Sequence, residues 1–207
     1  RITAVLSDWA GTTVDYGSRA PAQVFMDVFR RRGIDITEAE SRGPMGRAKR
    51  EHIEMVANLP RVAELWKQRY GSAPTDADVD AMYADFLPLQ KEILSKYSDV
   101  IPGVVEAVNA LRRSGIRIGS STGYTRELMN VVMPIAAQQG YTSDVSVCSD
   151  EVPAGRPAPW SNLRAAQLLN VYPMNSIVVV DDTPVGIQAA RNAGMFPIAV
   201  SMTGNSL

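Results

Sequence analysis

The spacing of hydrophobic and polar positions changes character along the chain. The first residues form a short, β-branched apolar run from Ile2 to Leu6 that ends at Asp8 and breaks at Gly11 into Thr12 and Thr13. A run of that length stopped by turn residues predicts a buried strand over 2–8, with Asp8 at its carboxyl end. From about Ala20 to Tyr97 the apolar positions recur at three and four residues, which predicts helices throughout. Pro21 and Gly33 bracket a first helix with Val24, Phe25, Val28 and Phe29 at helical spacing. Thr37 to Glu40 has the spacing of a capping box. A short helix is predicted after Met45-Gly46, and two more over 60–70 and 76–97, the last kinked at Pro88.

Beyond Asp99 the texture alternates. A helix is predicted from Pro102 to Leu111, closing at Gly115, and strands over 116–122, 144–148, 176–182 and 196–201. Thr183-Pro184 predicts a helix start and Gly194 its end. Such alternation argues an α/β fold, a parallel sheet with helices on both faces. The expected division is an α/β core over 1–16 and 100–207 and a helical domain over 17–99 covering the sheet's carboxyl edge.

Composition narrows the class. At 207 residues and 45% hydrophobic, the chain can bury a sizeable core, and a net charge of −1 offers nothing to nucleic acid or an anionic membrane. The single cysteine, Cys148, excludes an intramolecular disulfide and suits a reducing compartment. No leader pattern and no run of bilayer-spanning length is present, so a cytoplasmic location is expected. The chain opens on Arg1 and closes just past a strand-like run, consistent with trimming at both ends and a missing C-terminal piece.

Three predicted strands end in chemistry: Asp8, Thr122, and the pair Asp181-Asp182. Parallel strands place their carboxyl ends on one edge, where ligands bind. Converging carboxylates call for a cation, and oxygen-only ligands favour Mg²⁺. Gly155-Arg156-Pro157 adds a guanidinium suited to a phosphoryl group. Each alone has a plainer reading, a solvated loop charge for Arg156 or a helix cap for the aspartates. Thr125 is the better candidate for the cap beside Thr122.

Taken together, these residues resemble the motif set of the haloacid dehalogenase (HAD) superfamily over essentially the whole chain. The resemblance implies a Rossmann-like parallel core with an inserted helical cap. It makes Asp8 the nucleophile, Thr122 the second-motif hydroxyl, Arg156 the basic third motif and Asp181-Asp182 the acidic fourth. This chain departs from the pattern twice. HAD phosphatases carry an aspartate two residues after the nucleophile to protonate an oxygen leaving group, where this chain has Ala10. Some members carry a further aspartate where this chain has Gly186.

The predicted cap holds what Ala10 lacks. Arg47, Lys49 and Arg50 fall in the first turns of a helix, where the macrodipole disfavours cations. The plain reading is a solvated basic face. The functional one is that neighbouring cations, the helix terminus and burial lower the Lys49 pKa, so that its neutral amine forms a Schiff base with a carbonyl. His52, three residues on, shares its face.

Asp8-Trp9-Ala10-Gly11-Thr12-Thr13, Pro44-Met45-Gly46 with Lys49, Ser121-Thr122-Gly123-Tyr124-Thr125 and Pro153 to Trp160 together resemble the phosphonatase family of this superfamily. That resemblance implies cleavage of the P–C bond of phosphonoacetaldehyde, a small-molecule phosphonate formed in 2-aminoethylphosphonate degradation. It makes Lys49 the Schiff-base lysine, with Mg²⁺ held by Asp8, the Ala10 carbonyl and Asp182. Met45 and Gly46 are then cap residues closing over the site, and His52 and Tyr124 lie near the reacting groups. The family can carry a cysteine where this chain has Ser18, to which no thiol role transfers. A homodimer is implied, with Val24, Phe25, Val28 and Phe29 a candidate contact or, equally, core. The alternatives are another HAD phosphatase or phosphomutase, disfavoured by Ala10 and Lys49, and a non-catalytic HAD-like module, disfavoured by the intact acidic set.

Overall fold

The computed structural model describes residues 1–204. Among them, five strands form one parallel sheet in the order β3-β2-β1-β4-β5. They are β1 (Ala4–Ser7), β2 (Arg117–Ser121), β3 (Val145–Val147), β4 (Ile177–Asp181) and β5 (Phe196–Ala199). β1 lies at the centre and is buried along its whole length, as an unbroken apolar run requires when both sheet faces are covered. The chain runs from β1 outward to β2 and β3, then returns to β4 on the other flank. The strand order thus reverses beside β1, and the carboxyl ends at that reversal form the natural ligand crevice.

Between β1 and β2 lie α1 (Arg19–Arg31), α2 (Glu38–Arg42), α3 (Lys49–Ala57), α4 (Pro60–Tyr70), α5 (Asp76–Leu94) and α6 (Val104–Arg113). Of these, α1, α3, α4 and α5 share an apolar core that includes Val24, Phe25, Val28, Phe29, Ile53, Val56, Val62 and Phe86. The α1 face that was a candidate dimer contact is therefore consumed inside the chain, packed against α5. Local signals set the ends of these helices. Thr37 and Glu40 form the reciprocal capping box at α2, as do Thr75 and Asp78 at α5. α5 runs through Pro88 and ends three residues short of Tyr97, where the Ser98 hydroxyl donates to the Leu94 carbonyl at 2.6 Å.

Two linker segments join cap to core side by side. Val14 bridges Val100, Asp15 N–H donates to Asp99 O at 3.0 Å, and Ile101 N–H donates to Thr13 O at 2.9 Å. The remaining helices, α7 (Arg126–Gln138), α8 (Trp160–Leu169) and α9 (Pro184–Asn192), cover the sheet as crossovers. Neither α7 nor α8 is among the helices predicted from hydrophobic spacing. Thr125 occupies the cap position of α7 but makes no capping bond; Asp150 Oδ1 accepts from Arg126 N–H instead, at 3.0 Å. Thr183 does cap α9, accepting from Gly186 N–H at 3.1 Å. Among the described residues no helix is long and apolar enough to cross a membrane.

Candidate active site

Asp8 follows the last residue of β1, and its N–H still donates to Val180 O at 2.9 Å, so the sheet ladder fixes its backbone. Asp181 ends β4 and Asp182 follows it. Asp8, Asp181 and Asp182 are all buried and offer carboxylate oxygens within 4.8 Å of one another. Thr122 follows β2, anchored by its N–H to Val147 O at 3.0 Å, and its Oγ1 accepts from Tyr124 N–H at 3.1 Å.

Arg156 enters from the loop after β3 and is only 4% exposed. Its Nη2 donates to Asp8 Oδ1 at 2.9 Å, and its Nη1 lies 3.0 Å from Asp181 Oδ2. Burial opposes its charge, but Asp181 and Asp8 outweigh that and hold the guanidinium protonated. The two motif-four aspartates thereby separate. Asp181 is committed to Arg156 and to Thr183, whose N–H and hydroxyl both donate to Oδ1 at 2.8 and 2.7 Å. Asp182 is held from the loop after β1, by Thr12 Oγ1 at 3.1 Å and Ser18 Oγ at 3.4 Å. Gly186 packs so tightly under Asp181 that a Cβ there would fall 2.0 Å from the carboxylate carbon. No side chain fits at that position in this arrangement.

One guanidinium against three clustered carboxylates leaves uncompensated negative charge in a buried place, and the donors are hard oxygens. That donor set suits Mg²⁺. Asp8, Asp181 and Asp182 are the carboxylates that could hold it, Asp181 being also engaged by Arg156 and Thr183. Ala10, in the same loop, lines the adjoining chamber.

The cap presses onto this edge through glycines. Gly46 (φ +90°) sits where a Cβ would meet Thr183 Oγ1 at 2.5 Å and Val185 Cγ2 at 2.7 Å. Facing it, a Cβ on Gly123 would approach the carbonyl oxygens of Arg47 and Gly46 at 3.3 and 3.4 Å. This close approach encloses a chamber of about 20 Å³ bounded by Ala10, Ser18, Met45, Lys49, Thr122 and Tyr124. A larger hollow of about 310 Å³ lies at the sheet's opposite edge, beside Thr3, Gly115 and Tyr172, and its lining includes no carboxylate.

Lys49 opens α3 and is 5% exposed. Its Nζ lies between two aromatic faces, 5.6 Å from the Phe25 ring centre and 5.1 Å from that of Tyr124. Burial lowers its pKa to about 8; Asp8 and Asp15 work against the shift and Arg156 with it. Of the causes read in the sequence, burial is the largest and the adjacent arginines are not among those acting. Arg47 and Arg50 do not act on Lys49 as a cationic cluster: Arg47 pairs with Glu51, and Arg50 pairs with Glu54, Asp76 and Asp80.

His52 lies one ring further into the cap. It stacks on Phe25 at 3.6 Å between centres, and its Nε2 is 2.8 Å from Ser41 O. Burial and the Lys49 charge lower its pKa to about 3, so the imidazole is neutral. Tyr124 is held as the phenol, its pKa raised well above 10 by burial and by Asp15 and Asp8. The Gln90 amide of α5 faces that hydroxyl without closing a hydrogen bond of ordinary geometry.

Several site-wall residues escape the sequence reading. Asp15, in a left-handed conformation (φ 56°), accepts from Arg19 N–H and Ala20 N–H at 3.0 Å each and so caps α1; burial raises its pKa to about 6. Thr12, Phe25, Gln90 and Asn162 are the others. Thr12 belongs to the first-strand motif and Phe25 to the apolar face of α1, and neither position marks it as part of the site.

Comparison with known proteins gives one family. The model for haloacid dehalogenase-like hydrolases matches residues 2–194. The chain is 47% identical over 207 residues to a phosphonoacetaldehyde hydrolase of Bacillus cereus, covering all of this chain and 78% of that protein. It is 48% identical over 200 residues to a bifunctional phosphonoacetaldehyde hydrolase/aminoethylphosphonate transaminase of Clostridioides difficile. That match covers 97% of this chain, which spans 31% of that longer protein. Among solved structures, a phosphonoacetaldehyde hydrolase-like protein from Oleispira antarctica superposes with a TM-score of 0.97 at 40% identity, covering 99% of this chain and 74% of that one.

Proposed function

Starting from a chain that belongs to the haloacid dehalogenase-like hydrolases, and within them to the phosphonoacetaldehyde hydrolase family, we propose that it hydrolyses phosphonoacetaldehyde to acetaldehyde and phosphate. The observation that carries this is a buried lysine, its pKa lowered to about 8, facing a nucleophile loop with alanine in place of an acid. A P–O ester needs that acid; a P–C bond needs an electron sink on the neighbouring carbon.

The neutral Lys49 amine adds to the aldehyde, and the resulting carbinolamine takes up a proton and loses water, giving a protonated imine. An Asp8 carboxylate oxygen then attacks phosphorus, the P–C bond breaks, and its electron pair moves into the carbon–carbon bond of an enamine on Lys49. Arg156, already on Asp8, would grip the equatorial phosphoryl oxygens, with the Thr122 hydroxyl beside it. Mg²⁺ held by Asp8, the Ala10 carbonyl and Asp182 would neutralise charge on the phosphoryl group. Water cleaves the aspartyl phosphate, the enamine takes a proton on carbon, and hydrolysis of the imine frees acetaldehyde and the lysine. The Phe25 and Tyr124 faces suit a nitrogen that is positive for part of the cycle. Met45 and Gly46 close the chamber against bulk water.

The aminoethylphosphonate transaminase in the Clostridioides relative supports a place in phosphonate degradation. The reading extends to a homodimer working in the cytoplasm, for which the buried, unpaired Cys148 suits a reducing milieu; sedimentation velocity tests the dimer. The decisive experiment is borohydride reduction during turnover. Phosphonoacetaldehyde should label Lys49 by mass spectrometry and release phosphate. An unlabelled Lys49, or preferential hydrolysis of p-nitrophenyl phosphate, refutes the proposal.

A further inference from the structure

We propose that Asn162 is a positioning residue for Arg156, acting through the Ser121 hydroxyl, and that this relay keeps the guanidinium shared rather than closed onto Asp8. The inference rests on the reading of Arg156 as the phosphoryl grip. It starts from a chain of buried polar contacts that a bare ion pair does not need.

Arg156 Nη2 has more than one acceptor. Besides Asp8 Oδ1 it reaches the Ser121 carbonyl at 2.5 Å and the Ser121 hydroxyl at 3.2 Å. That hydroxyl in turn donates to Asn162 Oδ1 on α8 at 2.9 Å. Ser121 and Asn162 are each 1% exposed, so no solvent competes for these bonds. A serine hydroxyl has one proton. With it directed to Asn162, the oxygen can only accept on its other side, which is the side Arg156 occupies. Asn162 therefore fixes the polarity of the hydroxyl.

The consequence follows from the geometry of the pair it restrains. Arg156 meets Asp8 through one nitrogen and Asp181 through the other, although guanidinium and carboxylate prefer a two-nitrogen, two-oxygen fork. Ser121 holds Nη2 from the β2 side and opposes rotation into that fork. A forked Asp8 would have both oxygens tied to arginine and none directed at phosphorus. Without the Asn162 acceptor, the Ser121 proton is free to turn toward Asp8 or Arg156, and the guanidinium loses a partner on that flank.

The test is a double-mutant cycle on the Mg²⁺-saturated enzyme, read by inorganic phosphate as competitive inhibitor and by kcat and KM separately. Asn162→Leu removes the acceptor at similar volume, Ser121→Ala removes the hydroxyl, and Ser121→Thr keeps it. Each of the first two should weaken phosphate inhibition and lower kcat by about five- to tenfold, with a smaller change in KM. Ser121→Thr should stay near wild type. The double variant should be no worse than Ser121→Ala, because both changes cut one relay. Additive losses, or wild-type phosphate inhibition in Ser121→Ala, overturn the proposal. If Asn162→Leu does not fold, Asn162→Ala takes its place in the cycle, and the Ser121 pair alone still decides. Borohydride labelling of Lys49 should survive in every variant. Its failure in the wild type would defeat the Schiff-base reading and leave the phosphate measurement intact as a test of the relay.

Discussion

Replacing Lys49 by methionine isolates what burying an amine does to this protein. The folded pKa of about 8 lies below the ordinary 10.5, with burial as the main cause. At pH 7.5 a pKa of 8 leaves about one amine in four neutral, against about one in a thousand at 10.5, roughly a two-hundredfold gain in the reactive form. The same displacement carries a stability cost. Between pH 8 and 10.5 the unfolded state binds the proton more tightly than the folded one, so wild-type stability rises with pH through that window. Below pH 8 the cost is fully present, about 3 kcal/mol at 1.36 kcal/mol per tenfold. Methionine matches the lysine stem and carries no charge to desolvate. Lys49→Met should therefore unfold at higher urea than wild type at pH 7, with ΔG raised by up to about 3 kcal/mol. The gain should shrink as pH climbs from 8 and vanish near 10.5. Borohydride trapping in the wild type should rise through pH 8 and be absent from the variant. A variant no more stable at pH 7, a gain independent of pH, or a trapping profile centred near 10 would refute the reasoning.

Other expectations follow from single contacts. Gly46→Ala would drive a Cβ onto Thr183 and Val185 and force an L residue to φ +90°. It should lower kcat/KM at least about tenfold by holding the cap off the core, measured by steady-state phosphate release. Asp182→Asn should weaken Mn²⁺ binding at least about tenfold in calorimetry, while Asp181→Asn should act mainly through Arg156. Asp15, whose folded pKa of about 6 exceeds the usual 3.8, binds its proton more tightly when folded. Stability from this group is thus lost as pH rises from 4 to 6, and Asp15→Asn should stabilise by about 1–2 kcal/mol above pH 6 and not below pH 4, by urea titration.

What the sequence determined about this protein is whatever a parallel α/β sheet makes periodic or terminal. An apolar run ending in Asp8, another in Ser121 and Thr122 and a third in Asp181 and Asp182 suffice to place these groups on one edge, because parallel strands all finish on the same side. The Thr37 capping box was legible for the same reason: it closes within four residues. Ala10 could be read as a missing acid only through the family resemblance, by its place two residues after Asp8. Helices α7 and α8 were not read, since the Asp150 carboxylate that binds the start of α7 lies 24 residues away.

The tertiary structure decided how two adjacent aspartates are held, Asp181 by Arg156 and Thr183, and Asp182 by Thr12 and Ser18. It decided what lowers the Lys49 pKa. The neighbouring arginines that looked responsible are paired away along their own helix and across to α5, and burial under the cap remains as the cause. It alone disclosed Asn162 and Asp15, whose meaning lies in being buried. A polar side chain carries no mark in the sequence that water will be withheld from it, and desolvation, the largest influence on these groups, exists only once distant segments have packed.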